Sequence, residues 1–452
     1  MAPPKHATIW VSVLYFLVLL CIALWVRDIP DQPDALNTTL QQIAAGITRM
    51  SDPTSFAIAA IDLAETGRIS GANEWIFNLW PPGFIMMQAL IIKVFGPEVP
   101  VILVLQIMAV VLFSTLLTLL YEYLNRYVKH KIAAMTLPLL IFAVPVSRVF
   151  LLQPKGIVLG ESFAIGLFLL CVLLTIRAVE RHSLRYAFCA GLCLAMAAYF
   201  RSHFEFILLV LTGWGILLLI VTYIQRRRNT FDLIYLNSLI KTILIVLLMA
   251  HATTLPWRAY RWTYFYAGTP SWVKSSQLLY RNSVMTSEHL ESLSGHWIIA
   301  GAGNVVCRID PSTCGDIANA KELFFRTFMR HPVEWYSLKF DAIGDYWYSS
   351  VRNFGGVVIK STWMDIVTNA MLLVALTALV CLSLTRKVRS HISSIVLAWF
   401  NIALFSAYAI IFSLAHYEVR YFHFPKIAGI MMLLIVATLY SRPPIKKSDE
   451  PI

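Results

Sequence analysis

Ionisable residues gather at a few short points in an otherwise apolar chain, in combinations that suit transfer to or from an anionic lipid headgroup. Arg201, His203 and Glu205 fall in one tight turn, and His416, Glu418 and Arg420 in another, with Tyr421 just after it. Lys155 and Glu161 flank the start of an apolar run in Gln153-Pro154-Lys155-Gly156 and Gly160-Glu161-Ser162. Arg258 and Arg261 close the apolar run that ends near Pro256. Arginine holds phosphate oxygens through paired, charge-assisted bonds and keeps its charge beside any neighbour. A carboxylate that takes the proton of an attacking hydroxyl completes such a site. Carboxylates are supplied by the segment between the first two long apolar runs, which holds Asp28, Asp31, Asp34, Asp52, Asp62, Glu65 and Glu74 and closes with Trp80-Pro81-Pro82-Gly83. Ionisable groups at a membrane carry a functional meaning by default, although snorkelling at helix ends accounts for single cases.

The elements that position these groups are membrane spans. Apolar residues make up 58% of the 452 residues, charged residues 14%, and mean hydropathy is +0.68, so one soluble core cannot hide the apolar surface. A span takes roughly 20 mainly apolar residues. Ten segments read as spans, over residues 9–26, 99–121, 132–150, 157–176, 184–200, 204–224, 234–255, 363–385, 392–414 and 422–440. The expected fold is therefore an all-α polytopic membrane protein forming a single domain over residues 1–452.

The net charge of +12 follows topology rather than nucleic-acid binding. With the N-terminus in the cytoplasm, the short inner connections carry Lys5, Arg126, Lys129, Lys131, Arg177, Arg181, Arg185, Arg226, Arg227, Arg228, Arg386, Lys387, Arg389, Arg442, Lys446 and Lys447. The short outer ones carry Lys155, Arg201 and Arg420. That asymmetry obeys the positive-inside rule. It places both termini in the cytoplasm and the two long connections, residues 27–98 and 256–362, outside, which in a bacterium is the periplasmic face of the inner membrane. The first span lacks a small-residue cleavage site and is expected to be a retained signal anchor.

Within the first outer connection, Ala35–Ile47 and Phe56–Gly67 are expected to be helical, the second after a Ser51-Asp52-Pro53 cap. Phe84–Phe95 is apolar but too short to cross, and is expected to lie along the outer leaflet. In the second, Glu322–Arg330 and Val333–Tyr348 read as helices separated by His331-Pro332, a small cap. Cys307 and Cys314 are expected to pair in an oxidising compartment. Trp80 and the other outer aromatics suit stacking on sugar faces, or an interfacial aromatic belt. There is no phosphate-cradling Gly-rich loop, no metal-spaced His/Cys set and no nucleophile elbow.

Several short motifs together resemble the lipid-carrier-dependent glycosyltransferases of the GT-C fold, the superfamily of protein O-mannosyltransferases and the lipid A aminoarabinose transferase. They are Ser51-Asp52-Pro53-Thr54-Ser55-Phe56 with Ala59-Ala60 and Leu63-Ala64-Glu65-Thr66-Gly67, then Trp80-Pro81-Pro82-Gly83-Phe84 and Val94-Phe95-Gly96. Further matches are Leu159-Gly160-Glu161-Ser162, Tyr199-Phe200-Arg201, Leu255-Pro256-Trp257-Arg258 and His416-Tyr417-Glu418-Val419-Arg420-Tyr421. The resemblance implies transfer of a sugar from a polyprenyl-phosphate donor to a glycan, glycolipid or protein acceptor at the outer face, with no required cofactor or metal and with membrane lipids as surroundings. It implies a first-loop aspartate as general base. Asp52 fits by distance to Pro82-Gly83, and Asp34 by closeness to the first span. For such a reaction Arg201, Arg258 and Arg420, with Lys155 or Arg261, are expected on the donor phosphate, and Glu161, His203, Glu205, His416, Glu418, Tyr421 and Trp80 around sugar and acceptor. A flippase for lipid-linked sugar and a polymerase or ligase using a diphosphate donor are the rival readings.

Overall fold

A computed structural model gives the fold; it describes residues 5–25, 34, 36–48, 51–68, 73, 76–77, 80–151, 159–227, 233–261, 263, 306, 309–310, 312, 320–348, 362–385, 388, 391–414 and 419–441. All regular structure among them is helical. The helices are α1 (Lys5–Trp25), α2 (Leu40–Ala44), α3 (Ser51–Thr66), α4 (Gly83–Phe95), α5 (Val101–Leu124), α6 (Lys131–Ala143), α7 (Pro145–Leu151), α8 (Glu161–Glu180), α9 (Leu184–Phe200), α10 (Ser202–Arg227), α11 (Leu233–Tyr260), α12 (Ala320–Arg330), α13 (Pro332–Tyr348), α14 (Trp363–Ser383), α15 (Ile392–Leu414) and α16 (Val419–Ser441).

Eight of these helices are long and apolar enough to cross a membrane, and the chain is an integral membrane protein. Two of the ten expected spans come out differently. The segment 132–150 is broken: a 3-10 turn over Leu137–Leu139 interrupts α6, Val144 is extended, and α7 starts at Pro145. Pro138 and Pro145 each lack the N–H that a continuous helix needs, which is the cause of the break. The segment 184–200 is a helix of only 17 residues, because Arg201 adopts an extended conformation (φ −149°, ψ 130°) between α9 and α10. The fourth span starts at Glu161, later than expected, and α11 runs through Pro256 as far as Tyr260, so Trp257 and Arg258 are helical rather than part of a loop.

Helix α8 is the centre of the bundle, with most of its length buried, whereas α1, α10 and α14 turn broad apolar faces outward. Outward Ile, Leu and Val side chains are what lipid contact requires, since hydrocarbon, not water, surrounds a span. Close approach between spans relies on small residues. A Cβ on Gly166 would stand 2.6 Å from Leu112, and one on Gly191 would stand 2.8 Å from the Val246 carbonyl oxygen.

At the end of the bundle bearing short basic connections, part of the positive charge also ties helices together. Arg177, buried, pairs with Glu122; Arg126 stands 3.0 Å from Glu180, whose other oxygen accepts a 2.6 Å bond from the Ser393 hydroxyl.

At the opposite end the first connection folds back on the bundle. The expected helix Ala35–Ile47 is only Leu40–Ala44, because Thr39 and Gln42 form a capping box that starts it late. Helix α3 begins at Ser51, so Asp52 lies in its first turn rather than capping it, where its charge favours the helix dipole. Helix α4 is short and apolar as expected. Helices α12 and α13 form a cap around Leu323, Phe324 and Trp335, with His331 between them.

Candidate functional site

The junctions between spans at the long-connection end carry the charged residues. Glu161 opens α8, Arg201 closes α9, Glu205 lies in the first turn of α10, Arg258 lies in the last turn of α11, and Arg261 follows that helix. Arg201 Nη2 stands 2.8 Å from Glu161 Oε1, and both side chains are almost fully buried, at 5% and 2% exposure. A carboxylate at a helix N-terminus is favoured by the macrodipole, and the cation at the end of α9 is favoured in the same way. Nε and Nη1 of Arg201 are buried with no hydrogen-bond acceptor among the described residues. Unsatisfied guanidinium N–H groups cost free energy unless a ligand or water takes them.

The second centre is built on Glu205. Arg258 Nε donates to Glu205 Oε1 at 2.7 Å, and Arg261 Nη1 approaches Glu205 Oε2 at 3.8 Å. Arg258 and Arg261 thus share the Glu205 carboxylate. The Arg261 guanidinium also lies 6.0 Å from the Trp257 ring centroid. The Tyr199 hydroxyl donates to the Thr253 carbonyl at 2.9 Å and so ties the end of α9, next to Arg201, to the end of α11.

The first connection packs on both centres. A Cβ on Gly83 would stand 2.6 Å from the Tyr199 carbonyl oxygen, so only glycine lets the Pro-Pro-Gly corner approach α9 this closely. Phe77 meets Trp257 at 6.3 Å between centroids, beside Arg258. An aromatic row runs from α3 inward: Phe56 to Trp80 at 5.2 Å, Phe56 to Phe84 at 6.0 Å, Phe84 to Phe163 at 6.4 Å, and Phe163 stacked on Phe200 at 5.4 Å. Asp52 lies one turn before Phe56 on the same face of α3 and is half-buried.

Asp34 makes local bonds. Its exposed carboxylate accepts bonds from Leu36 N at 3.0 Å and Asn37 Nδ2 at 2.6 Å, closing a local turn. His203 is half-buried with its ring against Phe204. Arg420 lies in the first turn of α16, and Tyr421 follows it. Lys155, His416, Glu418, Cys307 and Cys314 lie outside the described residues. Among the described residues no group of three or more His, Cys, Asp or Glu is arranged to hold a metal ion.

Two polar groups inside the spans had no place in the sequence reading. His251 contacts both Arg258 and Thr212. Lys426, fully buried in α16, donates to Asn369 Oδ1 at 2.7 Å and to the Trp347 carbonyl at 2.8 Å, with its ammonium 4.6 Å from the Trp347 ring centroid. It thereby joins the cap helix α13 to α14 and α16. The rule that ionisable residues inside spans are rarely idle would have singled out both.

No family model matches the sequence, and no curated protein matches it. Among solved structures, the chain matches ArnT from Cupriavidus metallidurans, crystallised bound to undecaprenyl phosphate, over 97% of this chain and 77% of that one, with 12% identity and a TM-score of 0.34. At that level the likeness transfers no residue role to this chain.

Proposed function

We propose that the protein is a GT-C-type glycosyltransferase that moves a sugar from a polyprenyl-phosphate-linked donor to an acceptor hydroxyl at the extracytoplasmic face. The observation that carries this reading is Arg201: a buried guanidinium at a junction between spans, paired on one edge with Glu161 and presenting two N–H groups with no acceptor among the described residues. Arg258 and Arg261, gathered on Glu205, reinforce it from the end of α11. Such donors suit the charge that grows on a departing phosphate, and preorganised electrostatics of this kind is usually the largest catalytic effect.

In the proposed reaction Asp52 takes the proton of the acceptor hydroxyl. The acceptor oxygen then forms a bond to the anomeric carbon as the bond from that carbon to the phosphate oxygen breaks, and polyprenyl phosphate leaves. One displacement inverts the anomeric centre. Asp52 is favoured over Asp34 because the aromatic row from Phe56 connects α3 to the Arg201 junction, whereas the Asp34 carboxylate serves a surface turn. The Glu161 and Glu205 carboxylates are engaged by arginines, so their part is to hold those cations rather than to contact the sugar.

The test is incubation of vesicle-reconstituted protein with a panel of polyprenyl-phosphate sugars and a crude acceptor extract. Formation of a glycosidic product with the anomeric configuration opposite to that of the donor supports the reading. Retention of configuration overturns the single displacement.

A further inference from the structure

His251 lies inside α11, yet its ring makes two polar contacts: Nδ1 is 2.9 Å from Arg258 Nη1, and Nε2 is 2.8 Å from Thr212 Oγ1. A guanidinium only donates, so Nδ1 accepts from Arg258 and the ring proton is on Nε2. That proton goes to the Thr212 oxygen, and the Thr212 hydroxyl donates in turn to the Leu208 carbonyl at 2.8 Å. The row has one direction, from Arg258 through His251 and Thr212 to the backbone of α10.

The Arg258 guanidinium is therefore held at two points. Nε is fixed by Glu205 and Nη1 by His251, while Nη2 is buried with no acceptor among the described residues. The two holders differ in charge. Glu205 offsets part of the positive charge it shares with Arg261, whereas a neutral imidazole fixes direction and leaves the charge intact.

We infer that His251 is a positioning residue that holds the Arg258 guanidinium so that its Nη2 group remains available to a phosphate oxygen of a lipid-linked ligand. This rests on the proposed glycosyltransferase reading for the identity of the ligand. A carboxylate in place of His251 would offset the Arg258 charge, and an aliphatic side chain would leave Nη1 free to turn away.

The test is equilibrium binding of farnesyl phosphate to the full-length protein in lipid nanodiscs, with farnesol as the uncharged control and a thermal melt of each variant. Wild type should prefer the phosphate, and Arg258→Met should lose about tenfold or more in affinity, the usual scale for a hydrogen bond to a charged group. His251→Leu should weaken binding of the phosphate by about tenfold without changing that of farnesol. His251→Asn, whose Oδ1 takes the place of Nδ1 as acceptor, should restore it to within about threefold. Wild-type affinity in His251→Leu alongside weak binding in Arg258→Met would overturn the inference and leave the functional reading standing. Equal loss in the Leu and Asn variants would make His251 a packing residue and overturn it too. Equal binding of phosphate and alcohol by wild type would remove the functional reading and the inference with it.

Discussion

Arg201 and Glu161 are 40 positions apart in sequence, yet their charged groups meet at 2.8 Å where α8 begins and α9 ends, with both side chains buried. A buried pair is costly to break from one side, because the remaining charge loses its partner while staying out of water; the penalty is about 3–5 kcal/mol, and removing both charges costs much less. Glu161→Leu should therefore lower the unfolding temperature in detergent more than Arg201→Met with Glu161→Leu together. Both variants should lose turnover. A double variant less stable than Glu161→Leu would contradict that ordering.

The Pro-Pro-Gly corner sets the fit of the first connection on the bundle. In Gly83→Ala the new methyl would meet the Tyr199 carbonyl oxygen, which is backbone and cannot swing away. Overpacking of this kind costs about 1–3 kcal/mol, and it displaces the chain just before Arg201. Gly213→Ala is the control, since a Cβ there meets nothing within 4 Å. Thermal unfolding should separate the two, with Gly83→Ala destabilised and Gly213→Ala neutral or slightly stabilised.

Asp52→Asn should abolish sugar transfer and leave polyprenyl-phosphate binding intact, because the amide cannot accept the hydroxyl proton but the arginines are untouched. Asp34→Asn should keep its turnover, since it alters only a surface turn. Paired measurements of turnover and lipid binding in the two variants check this. Normal turnover in Asp52→Asn would remove it as the base, and loss in Asp34→Asn alone would transfer the role.

The cap contains a pH-sensitive contact. Lys339, on α13, is buried with its ammonium 5.8 Å from the Trp335 ring centroid, and burial pushes its pKa down to about 7. The folded value lies below the unfolded one of about 10.4, so between these pH values the unfolded cap binds more protons than the folded cap. Cap stability should rise as pH increases from about 7 towards about 10, and should be flat with respect to this group below about 6. Hydrogen exchange of residues 320–348, corrected for intrinsic rates, measures it, and Lys339→Met should abolish the dependence.

What the sequence made legible follows from the strength of each physical signal. Long apolar runs define spans directly, as in α5 and α10, because a lipid-facing helix has no other composition available. The break at 132–150 was hidden by the same hydropathy, since Pro138 and Pro145 are themselves compatible with an apolar run. Clusters at span ends, such as Arg201 with Glu205, were visible as motifs, but their pairing was not. Glu205 lies four positions after Arg201 and is held by Arg258 instead, a choice made by the packing of α10 on α11. His251 and Lys426 stand out in the sequence as ionisable residues within apolar runs, but their partners do not, because such a run does not show which neighbour a lone residue meets.

The central claim is tested most directly by following release of free polyprenyl phosphate from reconstituted wild-type protein and its Arg201→Met variant, with each donor sugar supplied in turn, with and without acceptor. The proposed mechanism predicts acceptor-dependent release from one donor by wild type, and its loss in the variant. No release from any donor, together with movement of the lipid between leaflets, would contradict it and identify a flippase.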